Sequence, residues 1–271
     1  MLRTKGLFKQ SINEQPLISV ITVVFNGKKY LEQTIQSIIN TSYENLEYII
    51  IDGGSNDGTL EIIKKYEGQI DYWVSEPDLG IYDAMNKGTI ASLGSYTLHI
   101  NADDLIFDYR ALEKIISENK LYHKDSLNLF GSILFFRIEK RELVKRVPKY
   151  PDKELAMNII NIPGGHQAFL GKRNKISLFD ISYKLIAERV MISKKNQLER
   201  IDISTNILAI CRSGGASYGI NFQLSSEIKR AVSEAKSIRV FFYLVRKDIY
   251  LNLLQIAKRY KLVEIKRRLL G

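Results

Sequence analysis

The clearest candidate for chemistry in this sequence is the tetrapeptide Asn101-Ala102-Asp103-Asp104. Adjacent carboxylates repel each other unless a cation lies beside them, and a hard divalent cation with oxygen ligands meets that need. Such a cation usually keeps waters and ligand phosphates in its coordination shell. The tetrapeptide therefore predicts a metal site. A solvated acidic turn that caps the next helix explains the same residues as well.

A second polar cluster is Asp52-Gly53-Gly54-Ser55-Asn56-Asp57-Gly58. A carboxylate such as Asp52 can accept hydrogen bonds from a nucleoside base or ribose, and neighbouring glycines let a ligand approach the backbone closely. A glycine-rich turn without any ligand remains an equal alternative for Asp52. For Asp57 we expect the simpler role of capping a helix that begins at Thr59.

Several well-known motifs are incomplete in this chain. A dinucleotide-binding turn, G-x-G-x-x-G, should follow the first strand, but residues 26–30 contain one glycine, and no Walker-type phosphate loop occurs. Residues 215–219 match the G-x-S-x-G of α/β-hydrolases, which need a histidine later in the chain. The three histidines all precede Ser217, so we expect a turn there. Dehydrogenase, P-loop and hydrolase functions are therefore disfavoured.

The elements that must position these clusters alternate between apolar strands and amphipathic helices. β-branched runs at residues 18–25 and 46–51 indicate strands buried on both faces, and shorter strands are predicted at 72–74 and 95–100. This alternation predicts an α/β fold with a doubly wound, mostly parallel sheet. Ligands of such sheets bind at the carboxyl ends of the strands, where both polar clusters and Asn26 fall.

Beyond residue 126 the pattern changes. Short apolar runs up to Arg212 indicate a small mixed or antiparallel extension of the sheet, with a helix predicted over Ala187–Leu198. We therefore divide the chain into an N-terminal arm, a main domain in two halves and a basic helical tail. The arm comprises residues 1–16, and the two halves of the main domain comprise residues 17–125 and 126–222. The tail comprises residues 223–271.

Composition narrows the class of protein. Of the 271 residues 45% are apolar and 26% charged, which is typical of a globular chain rather than a disordered or fibrous one. A single cysteine, Cys211, excludes internal disulfides and cysteine-rich zinc sites, and it suits the reducing cytoplasm. No apolar run approaches the ~20 residues that cross a bilayer, and residues 1–16 do not resemble a signal peptide.

The positive charge is concentrated towards the C terminus. Residues 225–271 hold twelve Lys and Arg against four Asp and Glu, within a chain of formal net charge +10. A basic amphipathic segment of this kind is typical of a helix that lies on an anionic membrane surface. A helix that packs its apolar side on the domain and leaves its cations in water is an equal alternative. No recognition motif supports nucleic acid as a partner.

Together these segments resemble the family 2 glycosyltransferases, which have the GT-A nucleotide-sugar-binding fold, and especially their bacterial polysaccharide branch. The likeness runs from Pro16 to Asp104 with hardly a gap and includes residues 18–26, 35–38, 47–59, 75–88 and 101–104. It is weaker through Gly165-His166-Gln167 and Ala187-Glu188, and it ends near Ser217.

The resemblance implies a role for each matched residue. The donor nucleotide-sugar would be bound by Val24, Phe25, Asn26, Asp52, Asp78, Asp83, Asn86, Asn101, Ala102 and Asp103. Asp103 and Asp104 would hold Mn²⁺ or Mg²⁺, and His166 and Gln167 would lie near the sugar or acceptor. Glu188 would be the catalytic base, at a position where the family usually has Asp. A first-turn acid favoured by the helix dipole is the alternative for Glu188.

The resemblance also implies a reaction. An inverting, metal-dependent transferase would move a hexosyl or N-acetylhexosaminyl group from a nucleoside diphosphate, above all UDP, to a glycan or polyprenyl-diphosphate-linked acceptor. It would serve cell-surface polysaccharide synthesis in the cytoplasm or on the inner face of the plasma membrane. Asn101 and Glu188 both stand where the family usually has Asp, which leaves open a non-catalytic nucleotide-sugar-binding or assembly protein of the same fold.

Overall fold

Four parallel strands form the first half of the sheet, and they are the strands that the apolar runs predict. β1 (Ile18–Val24) pairs with β2 (Leu46–Asp52) on one side and with β4 (Tyr96–His99) on the other, and β3 (Tyr72–Ser75) pairs with β2. Every residue of β1, β2 and β4 is buried. This burial is expected of parallel strands, whose crossover connections cover the faces of the sheet.

Helices connect these strands and bury their apolar sides. They are α1 (Leu31–Ile39), α2 (Thr59–Lys65), α3 (Ile81–Ala91) and α4 (Ala111–Glu118). α1 buries Leu31, Ile35 and Ile38, which recur at helical spacing. α3 packs against β1 and β2, so its first turn lies near the carboxyl ends of those strands.

The second half of the sheet is mixed, as the sequence predicts. Its elements are β5 (Leu105–Ile106), β6 (Leu127–Arg137), β7 (Glu142–Arg146), β8 (Phe169–Lys172), α5 (Ala187–Leu198) and β9 (Arg200–Arg212). The described strands form one sheet in the order β3-β2-β1-β4-β8-β6-β9-β5, with β7 on β6. β8 is antiparallel to both of its neighbours, β4 and β6, whereas β6 and β9 are parallel.

The computed structural model describes residues 1–12, 15–119, 121, 127–137, 141–146, 165–174, 178–198, 200–212, 226–228 and 230–231. The chain divides into two compact units, Met1–Ile220 and Asn221–Gly271, and the sheet belongs to the first. The predictions for the basic tail and for the turn around Ser217 fall, almost entirely, outside the described residues. Among the described residues, no helix has the length and apolarity needed to traverse a membrane.

The register of the parallel strands brings the predicted polar clusters to one edge. Val24 pairs with Asp52, and Asp52 pairs with Ser75. On the other side of β1, Ile21 pairs with His99, the last residue of β4. The turns that follow these strands are therefore neighbours, and this carboxyl edge is where an α/β sheet binds its ligand.

Candidate active site

A cavity of about 770 Å³ opens at the carboxyl edge of the sheet. That volume lies within the range of about 300–1,000 Å³ typical of small-molecule sites. The lining combines the end of β1, the turn after β4, the first turns of α3 and α5, and the end of β9. The predicted site residues that it brings together are Val24, Phe25, Asn26, Asn101, Ala102, Asp103, Asp104, His166, Gln167 and Glu188.

The acidic turn after β4 is held from two sides. Asp104 is almost fully buried, and its Oδ2 accepts a hydrogen bond from Gln167 Nε2 at 2.7 Å. Its Oδ1 accepts a hydrogen bond from the backbone N–H of Arg212 at 3.1 Å. Burial, and then the charge of Asp103, raise the pKa of Asp104 to about 7. Burial also raises the pKa of Asp103, although the positive charge of Arg212 opposes that shift.

These carboxylates fit a divalent cation whose other ligands come from a bound diphosphate and from water. Burial raises the pKa of both carboxyl groups, and the charge of Asp103 raises that of Asp104 further. A positive charge beside Asp103 would offset both effects by favouring the ionised carboxylates. Among the described residues, no three His, Cys, Asp or Glu side chains gather into a metal site. The cation would therefore need oxygens from water and ligand, as Mg²⁺ commonly does. Since Gln167 and Arg212 hold Asp104, we expect Asp103 to be the direct ligand.

Arg212, at the end of β9, connects the acidic turn after β4 to α1 through hydrogen bonds. Its guanidinium donates to the backbone oxygen of Asp103 and, at 2.7 Å, to Oε1 of Gln33. The same group lies over the ring of Tyr30, 4.6 Å from the centroid. This role is not predictable from the sequence, because Arg212 belongs to no motif and reaches the turn through the pairing of the sheet.

His166 and Gln167 contact the acidic turn directly. They begin a short 3-10 turn, His166–Ala168, and His166 Nε2 lies 3.1 Å from Oδ1 of Asn101. Burial lowers the pKa of His166 to about 4, so the ring is neutral at pH 7. A neutral ring can donate from Nε2 to the amide oxygen of Asn101. Contact of either residue with sugar or acceptor remains a prediction.

Glu188 reaches the cavity from the first turn of α5, whose observed bounds are those the sequence predicts. Its Oε2 accepts a hydrogen bond from the phenol of Tyr82, in the first turn of α3. Two residues 106 positions apart in sequence therefore meet at the cavity wall. Tyr82 is absent from the predicted site residues, although its position beside the buried Ala84 and Met85 of α3 was a usable signal.

The end of β1 presents a surface suited to a flat ligand. Phe25 is 66% exposed and lines the cavity, so its ring is open to a ligand. Asn26 adopts a left-handed conformation with φ of 52°. Its backbone N–H donates to Ser55 Oγ at 2.7 Å, and its Oδ1 accepts from the N–H of Asn56 at 3.1 Å. The second polar cluster therefore holds Asn26 in place.

Asp52 lies beneath this surface rather than on it. Its side chain is fully buried and accepts hydrogen bonds from the backbone N–H groups of Gly54 and Ser55 and from the hydroxyls of Ser55 and Ser75. The described cavity lining does not include it. Asp52 thus shapes the glycine-rich turn, which is the simpler of the two interpretations, and its contact with a base stays a prediction. Asp57 accepts the N–H of Thr59 at the start of α2, as expected.

Three other predicted donor residues also lie outside the described lining. Asp78 accepts the N–H of Gly80 at 2.8 Å, and Asp83 accepts the N–H of Leu79 at 3.0 Å, so both shape the loop between β3 and α3. Both polar atoms of the Asn86 amide bind the backbone of Phe179, at 2.7 and 2.8 Å. Asp78 and Asp83 thus act as short polar residues commonly do at turns, and Asn86 joins α3 to the segment that contains Phe179.

Residues 19–169, more than half of the chain, match the profile described as Glycosyl transferase family 2. The chain belongs to this family. An "Uncharacterized glycosyltransferase" of Haemophilus influenzae is 38% identical over 128 residues, which cover 46% of this chain and 39% of that protein. The putative teichuronic acid biosynthesis glycosyltransferase TuaG of Bacillus subtilis is 36% identical over 96 residues, or 34% and 38% of the two chains. The chain thus spans about two fifths of these family 2 relatives.

Solved structures share the fold of this family 2 chain. S. aureus TarS in complex with UDP-GlcNAc has a TM-score of 0.63 and 16% identity, over 80% of this chain and 66% of that one. Mannosyltransferase PcManGT from Pyrobaculum calidifontis, in complex with GDP-Man and Mn²⁺, has a TM-score of 0.61 and 14% identity, over 93% and 75%. At such identities the likeness concerns the fold alone, and it confirms the predicted GT-A type of α/β architecture.

Proposed function

We propose that this chain is an inverting, metal-dependent glycosyltransferase that moves a hexosyl or N-acetylhexosaminyl group from a nucleoside diphosphate to an acceptor hydroxyl. The observation that carries the proposal is the shared cavity. Asp103, a carboxylate suited to a cation, and Glu188, a carboxylate suited to a proton, line one chamber of about 770 Å³. Proteins of the same fold have been solved with UDP-GlcNAc and with GDP-Man, which supports this class of donor.

In this proposal the donor lies along the carboxyl edge of the sheet. Val24, Phe25 and Asn26 contact the nucleoside, for which UDP is the first candidate, and the diphosphate extends towards Asp103. Bound Mn²⁺ or Mg²⁺ would offset the negative charge that develops on the leaving diphosphate. Arg212 keeps the acidic turn in place through the backbone of Asp103 and adds positive charge beside it.

Glu188 acts on the acceptor. The acceptor hydroxyl gives its proton to Glu188 while its oxygen forms a bond to the anomeric carbon. The bond from that carbon to the diphosphate oxygen breaks, and the nucleoside diphosphate leaves with the electron pair. Attack on the face opposite the leaving group inverts the anomeric configuration. Positioned general-base catalysis of this kind contributes a factor of roughly 10²–10⁴ to the rate.

The acceptor in this proposal is a glycan or a polyprenyl-diphosphate-linked sugar of cell-surface polysaccharide. The likeness to TuaG, a putative teichuronic acid biosynthesis glycosyltransferase, supports that assignment. Residues 17–125 would bind the nucleotide, and residues 126–222 would face the acceptor. The basic residues of the segment 225–271 would hold the protein on anionic lipid at the inner face of the plasma membrane.

Thermal unfolding with nucleotides tests the donor site. UDP, GDP, CDP and dTDP are each added with Mn²⁺ or with EDTA. A ligand at 100 times its Kd stabilises the folded state by about 2.7 kcal/mol. We expect that increase with UDP and Mn²⁺ and its loss with EDTA, because the cation joins the diphosphate to Asp103. A protein that none of the four nucleotides stabilises would contradict the proposal.

A further inference from the structure

Tyr82 is the residue whose contact with Glu188 has the most direct consequence for the proposed reaction. It is the second residue of α3, only 7% exposed, and it lines the cavity beside Glu188. Its phenol donates a hydrogen bond to Oε2 of Glu188. Hydrogen bonds to an ionised carboxylate are shorter and about twice as strong as those between neutral groups. The contact therefore restrains the end of the Glu188 side chain.

The ring of Tyr82 is itself held by packing. The centroid of the Phe179 ring lies 5.6 Å from that of Tyr82, and the two ring planes make an angle of 32°. The ring of His99 also packs against Phe179, edge-on, with 5.2 Å between the centroids. Burial lowers the pKa of His99 to about 3, so this contact involves a neutral ring. Asn86, one turn along α3 from Tyr82, binds both the N–H and the C=O of Phe179. α3 therefore carries Tyr82 and, through Asn86, also holds Phe179, against which the Tyr82 ring packs.

Glu188 needs such a restraint more than an aspartate would. A glutamate has one more rotatable bond than an aspartate, and each side-chain torsion that must be fixed costs conformational entropy. A phenol bonded to one carboxylate oxygen fixes the plane of the group and the direction of the other oxygen. A base that must take a proton in line with attack depends on that direction, since small misplacements lower the rate steeply.

The geometry points to Tyr82 as the positioning residue of the proposed base, which holds the Glu188 carboxylate at the angle from which it accepts the acceptor proton. The inference rests on the proposed function, because it assigns Tyr82 a part in the same reaction. Tyr82 acts through Glu188 and takes no proton from the substrate. It joins the first turn of α3 to the first turn of α5 across the cavity wall.

The test compares Tyr82→Phe with Tyr43→Phe. Tyr43 is a matched control because it is also 7% exposed, and its phenol donates to the backbone oxygen of Pro16 at 2.6 Å, outside the cavity lining. The rate measured is release of nucleoside diphosphate from UDP-, GDP- and dTDP-hexoses, with water as the hydroxyl acceptor. Affinity for the nucleoside diphosphate is measured by thermal unfolding.

We expect Tyr82→Phe to lower kcat by about 10- to 100-fold, the range that a hydrogen bond to a charged group represents. KM for the donor and the affinity for the nucleotide should not change, because the ring and its packing remain. Tyr43→Phe should leave kcat unchanged while it lowers stability to a similar extent. A Tyr82→Phe enzyme with normal kcat, or with a higher donor KM instead of a lower kcat, would overturn the inference.

Shortening the partner gives a second test that leaves α3 untouched. Glu188→Asp draws the carboxylate back by one methylene, away from the Tyr82 phenol, and we expect a loss of kcat similar to that of Tyr82→Phe. The double variant should be no slower than the slower single variant, because both remove one contact. Losses that multiply would show that Tyr82 acts independently of Glu188, and the inference would fail.

The same measurements separate this inference from the function on which it rests. If Glu188→Gln keeps normal turnover, the proposed base is wrong and the role of Tyr82 fails with it. If Glu188→Gln abolishes turnover while Tyr82→Phe retains full kcat, the base stands and only the positioning role is overturned. Absence of nucleoside diphosphate release by the unaltered chain with every donor would count against both.

Discussion

At the residue scale, substitution of Glu188 distinguishes a catalytic base from an acid that only stabilises the first turn of α5. Glu188→Gln should retain nucleotide binding and lose turnover by a factor of roughly 10²–10⁴, since an amide cannot accept the proton. Glu61→Gln is the matched control, because Glu61 is likewise a first-turn acid, in α2, and lies on the surface. If Glu188→Gln turns over as fast as Glu61→Gln, Glu188 is only a helix-terminal acid and the assignment of the base is wrong.

The metal site offers a second test on a single side chain. Asp103→Asn removes one negative charge from the cavity lining but preserves the size of the side chain. We expect the part of the nucleotide stabilisation that EDTA removes to disappear, because a neutral amide is a poor ligand for a hard cation. Asp108→Asn is the control, since Asp108 is exposed and only accepts the N–H of Arg110. Unchanged Mn²⁺ dependence in Asp103→Asn would exclude this residue as the ligand.

The sequence predicts the side chains at strand ends better than those that support them. The end of β1 and the turn after β4 reach the cavity because a parallel sheet places all its carboxyl ends at one edge. Asp52 shares that position but faces inward, where its oxygens accept three hydrogen bonds from its own turn and one from Ser75 of β3. Which way a strand-end side chain points depends on neighbours that a pattern does not reveal. The contacts of Arg212 and Tyr82 arise from pairings across more than 100 residues.

At the element scale, the sequence predicts long buried elements and misses short ones. β1 and β2 are rich in β-branched residues, and both strands lie where the sequence predicts them. The predicted bounds of α5 are likewise confirmed. β8 has four residues, Phe169–Lys172, and too short a pattern to distinguish it from a loop. β9 extends far beyond its short apolar run at residues 207–210, because pairing with β6 along a bulged register keeps polar residues in the strand. Tertiary contacts determined both.

α3 packs so closely on the sheet at Gly88 that we expect a larger residue there to destabilise the fold. A Cβ at this position would overlap Cγ2 of Ile21, a fully buried residue of β1. Alanine favours a helix over glycine by about 1 kcal/mol. Gly88→Ala should nevertheless lower the free energy of unfolding by up to about 2 kcal/mol, because overpacking a core usually costs about 1–3 kcal/mol.

Gly68→Ala is the control for this experiment. Gly68 lies in the 3-10 turn Glu67–Gln69, and a Cβ there would meet no atom within 4 Å. Urea unfolding should show a change of less than about 0.5 kcal/mol for this variant, as is usual at open surface positions. A Gly88→Ala protein that is more stable than the unaltered chain would mean that α3 can move away from β1. In that case the placement of Tyr82 at the cavity wall would be less rigid than its contacts indicate.

At the scale of the whole molecule, the amino edge of the sheet is closed by the first residues of the chain. The guanidinium of Arg3 forms an ion pair with Glu47 of β2 and donates to the backbone oxygen of Ala91 at 2.7 Å. Glu47 is buried and also accepts hydrogen bonds from Ser19 at 2.6 Å and from the N–H of Leu93 at 2.8 Å. Lys9 forms a similar pair with the buried Asp71 at 3.1 Å. Two residues of the predicted N-terminal arm therefore pair with buried carboxylates at the amino edge of the sheet.

Breaking this ion pair should weaken the fold without affecting the cavity at the opposite edge. Arg3→Met leaves the buried Glu47 carboxylate without its cation, which typically costs about 3–5 kcal/mol. Lys65→Met is the contrast, because it removes an ion pair with Glu32 in which both side chains are exposed, and we expect no measurable change. The stability gained from nucleotide and Mn²⁺ should be the same in all three proteins, since distant and independent effects add. Loss of that gain in Arg3→Met alone would show that the two edges of the sheet are coupled.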